Sequence, residues 1–152
     1  MKKILWSVLF LGIMTLGVLG YEKPKRNFEI GDKSDISILQ NDVTMTIKEK
    51  NLTNKGATLV LTNNSDKNFQ YGNPYKIEIK KDGEWHKINV EVYFDMPAFQ
   101  LPAKESKKIV LDWENGYGKL AKKTYRIIKG TNYKYEDGKY ETFNVAAEFT
   151  ID

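Results

Sequence analysis

The sequence predicts an all-β chain, an antiparallel β-sandwich of about seven strands preceded by an N-terminal hydrophobic leader helix. Three observations carry this. Apolar residues alternate with polar ones at period two in segment after segment. The segments are short and punctuated by Gly, Asn, Asp and Pro at turn spacing. Outside the leader no stripe of period 3.6 occurs.

Taken in order, residues 1–20 form a separate object. Lys2 and Lys3 make a positive start, and Ile4 to Leu19 is apolar except for Ser7, Gly12, Thr15 and Gly17. About 16 residues at ~1.5 Å each reach ~24 Å as a helix, short of the ~30 Å hydrocarbon layer. The expectation is a signal peptide, with Val18-Leu19-Gly20 as its small-residue cleavage site. Retention as an N-terminal membrane anchor through residues 4–19 is the alternative. Tyr21 stands where a lipidated cysteine would, so a lipid anchor there is excluded. Residues 21–35, with Pro24 and Gly31, read as a polar lead-in, and residues 36–152 as one sandwich domain.

Within 36–152, Val43, Met45 and Ile47 alternate with Thr44, Thr46 and Lys48. Ala57, Leu59 and Leu61 form the next inward row, closed by the loop Asn63-Asn64-Ser65-Asp66. Tyr75, Ile77 and Ile79 follow, and Asp82-Gly83 turns the chain into a return strand carrying Trp85, His86, Ile88 and Val90. Residues 91–100 make an aromatic connection. Ile109, Leu111 and Trp113 then face inward, as do Tyr125 and Ile127 after a corner. A hairpin with Asp137-Gly138 at its tip ends in the row Phe143, Val145, Ala147, Phe149 and Ile151.

Composition narrows the function classes. The chain has 152 residues, fit for one domain. It contains no cysteine, which excludes disulfides and thiolate metal sites. Its 24 basic residues outnumber 20 acidic ones, and without Lys2 and Lys3 the balance is 22 to 20. So small an excess is no argument for nucleic acid. His86 is the single histidine, and its strand neighbours Ile88 and Val90 point to a structural role. Hydrolase, phosphate-loop and zinc-protease signatures are all missing. Carboxylates pair at Asp112/Glu114 and Glu136/Asp137, positions that read as solvated turns rather than an acid–base pair. An enzyme is not expected, and nothing implies a cofactor or a metal.

The runs LVLTNNSDKNFQYGNPYKIEIKKDGEWHKI, LPAKESKKIVLDW and KLAKKTYRIIK together resemble a bacterial immunoglobulin-like domain over residues 42–152. The resemblance implies an immunoglobulin-like sandwich and a non-enzymatic module of secreted or surface proteins of Gram-positive bacteria. It also implies a tyrosine corner, in which Tyr125 packs inward and returns its hydroxyl to upstream backbone. The family corner carries Pro-Gly before that tyrosine, whereas this chain has Lys122-Lys123-Thr124, without cheap access to positive φ. A more distant similarity is to small immunoglobulin-like bacterial protease inhibitors.

Binding is the remaining class. The sandwich would bring Asn63–Asn68 beside the last hairpin, where Tyr133, Tyr135 and Tyr140 interleave with Lys134 and Lys139. Tyr133, Tyr135, Tyr140, Lys134 and Trp85 form the candidate binding surface, against the plain alternative of cross-strand pairs and a sheet cover beside Lys80 or Lys87. The expected partner is a protein at the cell envelope, through which a sensor is bound or modulated. A cell-wall glycan stacked on exposed Tyr or Trp, or a protease met by an extended loop from Asp95 to Ala103, are the alternatives.

Overall fold

The computed structural model describes residues 28–39 and 42–152. The leader helix and residues 21–27 of the lead-in therefore lie outside the described residues. Among the described residues, ten antiparallel strands form two sheets. The small sheet joins β2 (Val43–Ile47), β3 (Gly56–Asn63) and β8 (Ser106–Asp112) in that order. The large sheet is built on β9 (Thr124–Lys134), which pairs along its whole length with β10 (Tyr140–Thr150). A strand has two hydrogen-bonding edges, so β9's other edge is shared. Its first half pairs with β5 (Lys76–Lys81), its second with β4 (Phe69–Tyr71). Beyond β5 lie β6 (Glu84–Asn89) and β1 (Glu29–Lys33), and beyond β4 lies β7 (Phe99–Leu101).

Alternation places the core where the sequence predicts it. Val43 and Met45, Ala57, Leu59 and Leu61, and Val145, Ala147 and Phe149 are buried between the sheets. Removing each large aliphatic side chain from water contributes about 1.5–3 kcal/mol, and the cysteine-free fold rests on this burial. Trp113 is core, as expected. Its ring lies 5.6 Å from Phe149, which in turn stacks on Tyr125 at 5.6 Å.

The tyrosine corner forms. The Tyr125 hydroxyl donates to the Ala121 carbonyl at 2.9 Å. Lys122 and Lys123 need no positive φ, because the left-handed turn falls earlier, at Gly118 (φ 69°), just past the short helix α1 (Glu114–Tyr117). The Asp82-Gly83 turn is as predicted, with φ of 52° and 81°, the mirror-image geometry that matches strand twist.

Two expectations are corrected. Part of the polar lead-in 21–35 is strand: β1 pairs with β6, and Phe28 before it is buried. Strands among the described residues also exceed the expected seven, because β4 and β7 have three residues each and β1, Glu29–Lys33, carries a single apolar side chain, Ile30. After β1 the chain continues as an extended strap, residues 34–39, across the outer face of the large sheet. Ser34, Ile36 and Ile38 turn toward the sheet, while Asp35, Ser37 and Leu39 turn to solvent. Ile38 and Leu39 reach Val145 and Ala146 at the β10 edge, where β2 begins in the other sheet.

Candidate functional site

Three loops gather at one end of the sandwich: 64–68 after β3, 102–105 before β8, and 135–139 between β9 and β10. The buried Asn63 side chain ties the first two. Its Nδ2 points at the carbonyls of Lys67 (2.7 Å), Leu101 (3.1 Å) and Pro102 (3.0 Å), and its Oδ1 accepts from the Ser65 N–H and hydroxyl. Asn68 Oδ1 accepts the Ala103 N–H at 3.0 Å. Lys104 Nζ donates to the Asn64 carbonyl at 2.7 Å and pairs with Asp66. A loop set fixed from within can hold exposed side chains in one arrangement, which lowers the ordering cost of binding.

Those exposed side chains come from the last hairpin. Its tip is closed by the Tyr135 N–H on the Lys139 carbonyl (2.8 Å) and the Gly138 N–H on the Tyr135 carbonyl (3.0 Å). Tyr135 and Tyr140 are 41% and 58% exposed. The Tyr135 hydroxyl donates to the Glu141 carboxylate, whose hydrogen bond raises the phenol pKa. Lys134 lies over the Tyr140 ring at 5.6 Å. Asp137 sits below the usual carboxylate range because of its hydrogen bond with Lys139.

The predicted surface is brought together only in part. Tyr133 is half-buried, packed on Phe69 at 5.7 Å and edge-on to Tyr135 at 4.8 Å, with Lys67 Nζ over its ring at 4.7 Å. The loop containing Lys67 thus does sit beside the hairpin. The two rings stand at 83°, so they offer no common flat platform. Trp85 lies elsewhere, on the outer face of the large sheet between Lys80 (5.1 Å) and Arg126 (4.9 Å). It covers the sheet rather than standing clear as a platform.

Beneath Trp85 is a buried ion pair missed in the sequence. Arg126 Nε and Nη2 reach Glu78 Oε2 at 2.7 and 2.6 Å, and Ser34 of the strap donates to Glu78 Oε1 at 2.5 Å. Charged residues read as outward-facing in a strand pattern, and nothing local announced that a strap would cover them. Lys129 was missed for a different reason: it follows Tyr125 and Ile127 on the inward parity of β9, and no local pattern tells which carbonyls receive its charge. It points into the gap between β4 and β5, where its ammonium donates to the carbonyls of Gly72, Asn73 and Pro74 at 2.8–3.2 Å. Burial pulls its pKa down to about 8.

The remaining candidates are structural. His86 Nδ1 lies 3.2 Å from the Gly31 carbonyl, joining β6 to β1. Asp112 caps the Glu114 N–H and Glu114 pairs with Lys55, so neither carboxylate faces a concave site. Within the 95–103 segment, residues 99–101 are hydrogen-bonded into the sheet as β7, while residues 95–98 are exposed; Val92 and Phe94 before them pack against the core. Among the described residues no group of three or more His, Asp or Glu side chains is arranged to hold a metal, and no helix is long and apolar enough to cross a membrane.

Comparison with known proteins agrees with this architecture. A family model described as a bacterial Ig-like domain matches residues 39–150, from the end of the strap to the end of β10. No curated protein matches the chain.

Proposed function

The chain belongs to the bacterial Ig-like domain family, and from that premise we propose a non-enzymatic module, exported to the bacterial cell envelope, that binds a protein partner there and so engages or modulates a sensor. The observation that carries the binding site is the loop end. Asn63, Asn68 and Lys104 lock two loops together beside a hairpin that exposes Tyr135 and Tyr140 among Lys67, Lys134 and Lys139. Rigid tyrosines with polar tips, set among lysines and the carboxylates of Asp137 and Glu141, suit a polar protein surface of mixed charge. Export rests on the N-terminal pattern of Lys2, Lys3 and the apolar run to Leu19.

The glycan alternative has less support, because Tyr133 and Tyr135 stand edge to face and Trp85 is covered on its ring by two cations. The experiment offers the full-length chain two immobilised surfaces, envelope proteins and protein-free cell walls. Saturable retention by the proteins, weakened about tenfold by Tyr140→Ala and unchanged in Trp85→Ala, is the expected result. Retention by bare walls alone would replace this reading with the glycan one.

A further inference from the structure

A second site lies away from the loop end. Between the strap, the 90–98 crossover and the outer face of the large sheet is a cleft of about 430 Å³, within the size range of small-molecule sites. Its walls are apolar, including Ile36 of the strap, Val92 and Phe94 of the crossover, and Ile128 of β9. No carboxylate lines it, and its one charged group is Lys76. Lys76 makes no ion pair within 4.0 Å among the described residues, although the Asp35 carboxylate is near enough to feel its charge. Two carboxylates lie nearby, and both are committed. Glu78 is held by Arg126 and Ser34, and Asp35 is bound to Lys87 at 2.8 Å.

Tyr117 supplies an independent observation. It is 4% exposed and lines both this cleft and the adjoining hollow. Its phenol oxygen accepts the Ile77 N–H at 3.1 Å, while its own O–H has no acceptor among the described residues. A buried hydroxyl proton without an acceptor is a cost that native structures rarely carry unused. It therefore marks a place for an acceptor from outside.

Gly130 supplies another. It lies within β9 and lines the cleft beside its cross-strand partner Asn144. A side chain there would meet only Thr142 Cγ2, at 3.8 Å, an ordinary contact. The fold thus has no steric need of glycine at a position where glycine weakens a strand. What the missing side chain does is leave the cleft open.

We infer that this cleft binds a small acyl carboxylate, its chain along Ile128, Val92 and Phe94 and over Gly130, its head group accepting from the Tyr117 hydroxyl and facing Lys76. An apolar trough with one cation, one orphan donor and no acid selects an amphipathic anion over a neutral or cationic amphiphile.

Isothermal titration of the full-length chain with decanoate, decan-1-ol and decyltrimethylammonium tests this. The expected result is one decanoate per chain, the alcohol bound about tenfold more weakly and the cation not at all. Lys76→Gln, at an exposed position, lowers decanoate affinity about tenfold to the level of the alcohol. Gly130→Val abolishes binding with the thermal midpoint kept or raised. Absence of decanoate binding, equal affinity for all three head groups, or Lys76→Gln without effect would each overturn the assignment.

Discussion

Arg126 and Glu78 are 48 residues apart in the chain and share one carboxylate oxygen, approached by Nε at 2.7 Å and Nη2 at 2.6 Å, on the outer face of the large sheet. Glu78 is 1% exposed and Arg126 9%. The pair is out of water because Ser34 and Ile36 of the strap lie over it and the Trp85 ring stacks on the guanidinium at 4.9 Å.

Breaking such a pair on one side leaves a buried charge without its partner. Glu78→Ala is therefore expected to destabilise the fold by about 3–5 kcal/mol in urea unfolding. Replacing both residues by methionine recovers most of the loss, since desolvation offsets much of what the intact pair contributes. If the double variant were as unstable as the single one, the pair would be a net source of stability.

Lys129 gives a pH dependence of definite sign. Its folded pKa is about 8, below the ordinary 10.5, because burial disfavours the charged form. Between those values the unfolded chain holds a proton that the folded one has released, so stability from this group rises with pH across that window. It is fully present above 10.5 and lost as pH falls through 8. The difference in unfolding free energy between the wild-type chain and Lys129→Met should accordingly grow in favour of wild type from pH 7.5 to about 10. A difference independent of pH would mean that the three carbonyls hold the ammonium charged throughout.

Tyr125→Phe isolates the corner hydrogen bond. The ring stack on Phe149 at 5.6 Å survives and the bond to Ala121 does not. The expected loss is about 0.5–1.5 kcal/mol, more if the Ala121 carbonyl finds no water. Thermal unfolding checks it, and a neutral result would leave the corner to packing alone.

Asn63→Ala removes the amide that joins the 64–68 and 102–105 loops. Several buried backbone groups lose their partner at once, which is expected to cost about 2–4 kcal/mol. Faster amide exchange at Ser65 and Lys67 should accompany it, as their N–H groups bond to Asn63 Oδ1 and Ser65 Oγ. Unchanged exchange would show the loops to be held by Lys104 and Asn68.

How far the sequence could be read depends on the range of the interaction. Val43, Met45, Leu59, Leu61, Val145 and Phe149 declare their inward face through their immediate neighbours, since side-chain direction in a strand has period two. The Asp82-Gly83 turn and the Tyr125 corner are likewise written in a few adjacent residues. The candidate surface was legible in part. Tyr135 and Tyr140 are exposed at the expected end beside the 64–68 loop, but Tyr133 turned inward onto Phe69 and Trp85 was taken up by Lys80 and Arg126.

What the chain determined by itself is thus the strand pattern, the turns, the aromatic core and the family. The tertiary structure alone decided which charged residues are buried. Glu78 and Arg126 carry the local signature of outward-facing strand residues, whereas Lys129 shares the inward parity of Tyr125 and Ile127 and is a charge in an apolar row. For the first two, burial came from a segment far away in sequence, the 34–39 strap; for Lys129, the 72–74 bend supplied the carbonyls that receive its ammonium. Alternation assigns a residue to one of two faces. Whether that face meets water depends on what crosses it, and that is settled only when distant segments pack.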